Sequence, residues 1–338
     1  MAHLILTAIQ ERRQYLLYAN QEEAVMSDRR ELFFPSGEDR CHAWLYVPEG
    51  ATEATPAPVL VMGHGLGAIK EMRLAAFAER FQAEGYACLV FDYRHFGQSG
   101  GEPRELLSIP RQREDWRSAV AFARTLPEVD PDSVVAWGTS FGGGHAIVTA
   151  ADDPSIAASI SQCPFTDGFA ALMKIPPKVA ARLTGAAVRD LFATAIGREP
   201  VRVPVAARAG EVGLMSANDV SEGVLELLEA SGLTEAEYRS QVPARIGLAV
   251  PLDRPGRRTK DLTKPALFCV CDGDTVAPAP ATLRHAANAP RGEVRRYDAG
   301  HFDIYIGDDF DRVIADQIAF LRQHVPSRLN TSTPGNDA

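Results

Sequence analysis

Several marks of common protein classes are missing from this chain. Its five cysteines, Cys41, Cys88, Cys163, Cys269 and Cys271, form an odd set with no C-x-x-C pair and no zinc-ligand spacing. That argues against a disulfide framework or a structural zinc site; most lie in apolar, strand-like runs and read as reduced, buried and intracellular. No segment approaches the length of a membrane span. The start, MAHLILTAIQERR, has only a short apolar run from Leu4 to Ile9, without the basic start and small-residue cleavage site of a secretory signal. Formal net charge is −9 and no long Lys/Arg stripe is present, so a protein held electrostatically to nucleic acid or to anionic lipid is not expected. The densest basic stretch, RPGRRTK at 254–260, reads as a solvated loop. The eight histidines show no metal-ligand spacing, and the chain has no internal repeat.

What remains is a cytoplasmic globular protein of 338 residues, 46% hydrophobic, long enough for one large α/β domain or a domain with a sizeable insertion. Residues 1–30 are polar and aperiodic and read as an N-terminal extension. Met26 is a candidate true start, which an intact N-terminal peptide in mass spectrometry would rule out. A patterned strand follows at Arg40–Val47, where His42 falls on an edge strand. From Val59, apolar runs without alternation, VLVM (59–62), CLVF (88–91), VVAW (134–137), IAASI (156–160) and ALFCVC (266–271), read as strands buried on both faces, as in a parallel sheet. Between them lie helical periods. Leu74, Phe77, Ala78 and Phe81 share a face before Gly85, and Trp116, Ala119, Val120 and Ala123 share one before Pro127.

The rhythm breaks at Phe165 and resumes after Leu262, so 31–164 and 263–326 form the core and 165–262 an inserted, mainly helical cap. Within it Ser221 can cap EGVLELLEAS before Gly232, and Thr234 with Glu237 makes a capping box for a further helix. A helix near 279–287, a strand at 293–297 and a last helix carrying Phe310, Ile314, Ile318, Leu321 and Val325 complete the core. The tail 327–338 reads as disordered.

The stretch AWGTSFGGGH (136–145) carries the chemistry. G-x-S-x-G alone is a common pattern. Here it follows a buried strand and opens a helix, the strand-turn-helix placement of a nucleophile elbow, in which Gly138 and Gly142 leave room for a sharp turn at Ser140. A plain glycine-rich turn packing helix against sheet is the bland alternative. A serine hydroxyl needs a base, and the base an orienting acid. In YDAGHFDIY, His301 occupies a loop after the last strand. The acid should follow ALFCVC, where Asp274 is favoured, lying just past the strand end and keeping a D-x-x-x-P spacing; Asp272 is the fallback. His3, His42, His285 and His324 read as structural. His64, His95 and His145 sit near site loops but read as hydrogen-bonding or packing groups, and His145 is too far along its helix to be the base. The turn Gly63-His64-Gly65-Leu66-Gly67 can offer the Leu66 N–H to an oxyanion, paired with the N–H of Phe141.

On these blocks, together with the F-D-Y-R-x-x-G-x-S loop at 91–99, the chain from about 32 to 325 resembles the α/β-hydrolase superfamily. More closely it is similar to cap-bearing bacterial relatives of the fungal polyketide transferases and, more distantly, to dienelactone hydrolase-like and X-prolyl peptidase-like enzymes. The resemblance implies a doubly wound, mostly parallel α/β sheet, a Ser140, Asp274, His301 triad, Leu66 and Phe141 as oxyanion donors, and no cofactor or metal. Dienelactone hydrolases use cysteine where this elbow has serine, so their substrate is not carried over. The expected activity is a serine hydrolase acting on a carboxylic ester of a small-molecule acyl substrate. Acyl transfer to an alcohol or amine, amide or peptide cleavage, and non-catalytic ligand binding are the alternatives. Phe169, Leu172, Met173, Leu183, Leu191, Phe192 and Met215 are candidates to line an acyl pocket or, more simply, to fill the core of the insertion. Nucleic-acid and membrane partners are not expected, and the oligomeric state, a homodimer among the options, stays open.

Overall fold

The structure, a computed structural model, describes residues 29–238 and 240–329. His3, the candidate start at Met26, and the extension and tail apart from 29–30 and 327–329 lie outside the described residues. The core strands are β1 (Arg30–Ser36), β2 (Asp39–Tyr46), β3 (Ala57–Gly63), β4 (Ala87–Phe91), β5 (Val129–Thr139) and β6 (Ala158–Gln162), followed after the insertion by β9 (Ala266–Cys271) and β10 (Gly292–Tyr297). They form one sheet in the order β1-β2-β4-β3-β5-β6-β9-β10, parallel from β4 to β10 and antiparallel at β1 and β2.

Continuous apolar runs arise because successive side chains point to opposite faces and both faces are covered. Leu60 and Met62 join one apolar cluster while Val59 and Val61 join another; Val135 and Trp137 divide from Val134 and Ala136 in the same way. Helices α1 (Leu74–Ala83) and α9 (Gly307–His324) fill the first face. Helix α2 (Ile109–Ala123) packs on the second, and α3 (Phe141–Asp152) and α8 (Ala279–Ala286) on its β9 side. All five cysteines are free and buried.

The insertion holds α4 (Gly168–Leu172), α5 (Pro177–Ala195), α6 (Val220–Ala230) and α7 (Ile246–Ala249), with a two-stranded antiparallel pair, β7 (Arg202–Pro204) and β8 (Gln241–Pro243). The buried Asp190 carboxylate ties it together, accepting from the Arg245 guanidinium (2.6 Å) and from the N–H groups of Arg245 and Val201 (2.9 Å each). No described helix is long and apolar enough to cross a membrane.

Several expectations need correction. Strand β1 was not anticipated, because only Phe34 and Ser36 are buried in it; since it pairs outside β2, His42 is not on an edge. Ser221 lies inside α6, whose N-cap is Asp219, and the Asp219 side chain accepts from Thr275 rather than capping. Thr234 and Glu237 do bond (2.8 Å), but they close an isolated turn and the chain then enters β8 instead of a helix. The basic stretch at 254–260 is not a solvated loop. It forms a 3₁₀ helix, Pro255–Asp261, with Pro255, Gly256 and Thr259 buried, while Arg258 pairs with Asp152 and Asp261. Ser327 donates to the Gly85 carbonyl (2.6 Å), so the first residue of the expected tail is anchored.

Candidate active site

Strand β5 ends at Thr139, and Ser140 follows with φ 54° and ψ −118°, a left-handed conformation costly for a residue with a side chain. Three hydrogen bonds impose it. The Ser140 N–H donates to Gln162 (2.8 Å), and its carbonyl accepts from Phe165 (2.8 Å) and Gly144 (3.2 Å). The flanking glycines are obligatory on steric grounds. A Cβ on Gly138 would sit 2.1 Å from the Gly142 carbonyl oxygen, and one on Gly142 would sit 2.4 Å from that of Gly63. Sequence alone thus builds the turn, and the turn projects Ser140 beyond the carboxyl ends of the strands, where ligands of such sheets bind.

His301 and Asp274, from the loops after β10 and β9, converge on it. His301 Nε2 lies 3.0 Å from Ser140 Oγ, and His301 Nδ1 lies 2.6 Å from Asp274 Oδ2. The other Asp274 oxygen accepts from the N–H groups of Val276 (2.8 Å) and Ala277 (2.6 Å), which fixes the carboxylate's orientation. All three residues are buried. Burial opposes charge on the His301 ring, but the adjacent Asp274 carboxylate, helped by the Cys163 sulfur, outweighs it and holds the imidazole well above the usual histidine range. Asp272 is instead at the surface, paired with Arg296 (2.9 Å), so the structure brings Asp274 and not the fallback to the histidine.

Gly65 runs directly against the serine, a Cβ there falling 3.2 Å from Ser140 Cβ. Leu66 and Phe141 border the same cavity as Ser140, and among the described residues their N–H groups donate to no acceptor of the chain. The turn is braced by Tyr238, whose hydroxyl donates to the Gly67 carbonyl (3.0 Å). Behind it the buried Asp92 accepts from the Lys70 ammonium (2.7 Å) and N–H (2.8 Å).

The remaining histidines take supporting places. His145 Nε2 bonds Gln112 (3.0 Å) and is kept neutral by burial and by the nearby Arg113. His64 Nδ1 donates to the Gly65 carbonyl (3.1 Å). His95 donates to Pro103 (3.1 Å) and accepts from Arg111 (3.2 Å). His285 faces Asp167 and His324 bonds Glu293.

Two cavities meet at Ser140. The first, about 80 Å³, runs under the insertion between Leu66, Phe141, Phe165, Leu172, Leu183 and Met215. The second, about 50 Å³, lies on the His301 side, lined by Met72, Leu74, Val224, Leu227, Phe302 and Tyr305. Of the seven insertion residues expected at the pocket, Leu172, Leu183 and Met215 line it. Phe169 and Met173, in α4 and at its C-cap, are instead solvent-exposed, and so are Leu191 and Phe192, because α5 turns only its Val179, Leu183, Ala187, Asp190 face inward.

Sequence reading missed the layer beneath Ser140, His301 and Asp274. Cys163, at φ 32°, places its thiol between the Thr139 hydroxyl (3.7 Å) and the Tyr305 hydroxyl (3.8 Å), and those two hydroxyls bond each other. The signal available was position alone: Cys163 directly follows a core strand and Tyr305 lies four residues after His301. Among the described residues, the one group able to hold a metal ion is Cys163, Asp274 and His301, with ligand atoms within 4.8 Å of one another. Two of its three members are already bonded to each other in line with Ser140, so a metal there would displace that contact.

A strand-elbow-helix with a buried serine, histidine and carboxylate in line defines a site class that a wider match supports: residues 58–308 fit the model of the alpha/beta hydrolase fold. The chain belongs to that family and is an enzyme of this class. It is 51% identical over 293 residues, covering 87% of this chain and 94% of the relative, to the quorum-quenching protein AidA of Acinetobacter baumannii. It is 38% identical over 168 residues, half of this chain and 53% of the relative, to the polyketide transferase ATR5 of Stachybotrys chlorohalonatus. The alpha/beta hydrolase GrgF from Penicillium sp. sh18 shares the fold, with TM-score 0.75 at 23% identity over 88% of this chain and 98% of that one.

Proposed function

We propose that the protein is a serine hydrolase that cleaves a carboxylic ester, including a lactone, of a small uncharged molecule. The observation that carries the reading is the line from Ser140 Oγ through His301 to Asp274, at 3.0 and 2.6 Å. Ser140 Oγ attacks the carbonyl carbon as its proton passes to His301 Nε2. The carbonyl oxygen, now an alkoxide, takes hydrogen bonds from the free N–H groups of Leu66 and Phe141. Collapse re-forms the C=O bond, breaks the bond to the leaving oxygen and delivers the His301 proton to it, leaving an acyl-serine. Water gives its proton to the same histidine, attacks the acyl-serine, and the acid departs as Ser140 regains its hydrogen. Asp274 keeps Nδ1 protonated and stabilises the imidazolium.

The acyl group fits the first cavity, which His301 does not border. The leaving group fits the second, because His301 must reach the departing oxygen and lines only that cavity. The segment 165–262 then acts as a cap that closes the acyl side. The relative named as quorum-quenching makes signal esters and lactones the first substrates to assay. A second reading, transfer of the acyl group to an alcohol, is supported by the apolar lining of the second cavity, which suits an organic acceptor, and by the relative named a polyketide transferase.

Ser140→Ala should abolish turnover of short p-nitrophenyl esters and covalent labelling by a fluorophosphonate, with thermal unfolding unchanged. Losses of about 10⁶-fold are typical for such a nucleophile. A folded variant as active as the parent would end this reading. Adding a medium-chain alcohol to the parent and analysing products separates hydrolysis from transfer.

A further inference from the structure

We propose that Ser216 is a specificity-determining residue and that the acyl half of the substrate carries a neutral hydrogen-bonding group, a carbonyl, amide or hydroxyl, within a few bonds of the scissile carbonyl. The inference rests on Ser140 being the nucleophile and names the substrate class of that site. Four residues lining the first cavity have polar side chains: Ser140, Lys174, Ser216 and Thr275. Ser140 is committed to His301, and the Thr275 hydroxyl donates to the Asp219 carboxylate at 2.7 Å. Lys174 is exposed at the surface. Ser216 differs from all of them, since it is 8% exposed and its hydroxyl oxygen is buried with no hydrogen-bond partner.

A buried hydroxyl that gives up water and gains nothing is a net loss to the fold, so such groups call for a partner. The cavity it borders is otherwise lined mainly by apolar side chains, and we assign the missing partner to a ligand that fills it. Position then sets where on the ligand the partner lies. Met215, the preceding residue, borders both cavities and so stands at their junction beside Ser140. Its backbone is pinned there, the N–H donating to Val205 and the carbonyl accepting from Ala207, each at 2.9 Å. Ser216 therefore sits at the serine end of the acyl cavity, and its hydroxyl swings into reach by rotation about a single torsion. A hydroxyl can both donate and accept, which admits any of the three groups named. A full charge on that group is disfavoured, because the cavity's one charged lining residue, Lys174, is exposed at the surface and a lone hydroxyl does not offset the desolvation of an ion.

The test uses p-nitrophenyl esters of matched chain length, plain alkyl against 3-oxo, 3-hydroxy and N-acylamino forms, and reads the ratio of kcat/KM for substituted over plain. The parent should favour at least one substituted form by about tenfold, the worth of one hydrogen bond. Ser216→Ala should bring that ratio close to one, and Ser216→Thr, which keeps the hydroxyl, should retain it. A parent with no preference, or a Ser216→Ala variant that slows both esters alike and keeps the ratio, overturns the proposal. Should Ser216→Ala fail to fold, Ser216→Cys carries the same two outcomes with a weaker donor. Activity surviving in Ser140→Ala would instead strike at the nucleophile, so the two failures are told apart.

Discussion

Helices α3 and α5 have similar apolar content and opposite fates. The first nine residues of α3, Phe141–Thr149, are all buried, wedged between the sheet, Pro164 and the 3₁₀ helix at 255–261. Helix α5 buries only Val179, Leu183, Ala187 and Asp190, and leaves Val188, Leu191 and Phe192 about half to two-thirds exposed. The elbow helix sits where backbone approaches backbone, so its residues have no alternative placement. The helix of the insertion touches its neighbours along one stripe, and the identity of its other side chains is nearly free. Ser140 stands at the N-terminus of the first, and of the second only Leu183 lines the cavity under the insertion.

That contrast can be broken or sharpened by substitution. Asp274→Asn should cost about 10⁴ in kcat while the fold persists, as for other orienting carboxylates. It should also move the pH profile. In the parent, kcat/KM should rise with pH as His301 loses its proton, with a midpoint above the ordinary value of about 6.5; without the carboxylate the main contribution opposing burial is gone and the midpoint should fall below the parent's. The same sign governs stability. The raised histidine contributes fully below the unfolded value, and the contribution is lost as pH rises through the folded one. A pH profile identical in parent and variant would remove Asp274 from the relay. Gly138→Ala comes next, since a Cβ 2.1 Å from the Gly142 carbonyl must displace the elbow; about 100-fold in kcat/KM is expected from a misplacement of that size, measured against normal activity if the turn can adapt. Leu183→Ala, on the buried stripe of α5, should lower stability by about 2–5 kcal/mol in denaturant unfolding. Phe192→Ala, one helical face away, should stay within about 0.5 kcal/mol, and a larger loss would mean that its exposed face is covered in solution.

Legibility in the sequence followed the same divide. Strands β3 to β6 and β9 were readable because burial on both faces leaves an apolar run without alternation, and the elbow because steric exclusion leaves only glycine at 138 and 142. The separation of Asp274 from Asp272 was half readable. Both follow β9, and only the approach of the β10 loop shows which one faces His301. In the insertion, hydrophobicity at Leu191 and Phe192 resembled that at Leu183, since an apolar letter does not state which face of a helix finds a neighbour. The isolated turn at Thr234–Glu237 misled for a related reason: a capping pair stabilises a first turn, whether or not a helix follows.

By itself the sequence determined the alternation of strands and helices in the core from β3 onward, the sharp turn at Ser140 and the chain order of Ser140, Asp274 and His301, all of which depend on local sterics and periodicity. Only the tertiary structure decided which carboxylate meets the imidazole, that Cys163 and Tyr305 underlie it, and that Ser216 borders the cavity under the insertion with its hydroxyl unpartnered. Those depend on distances between segments more than a hundred residues apart in some cases, and such distances exist only once the sheet has brought its strand ends together.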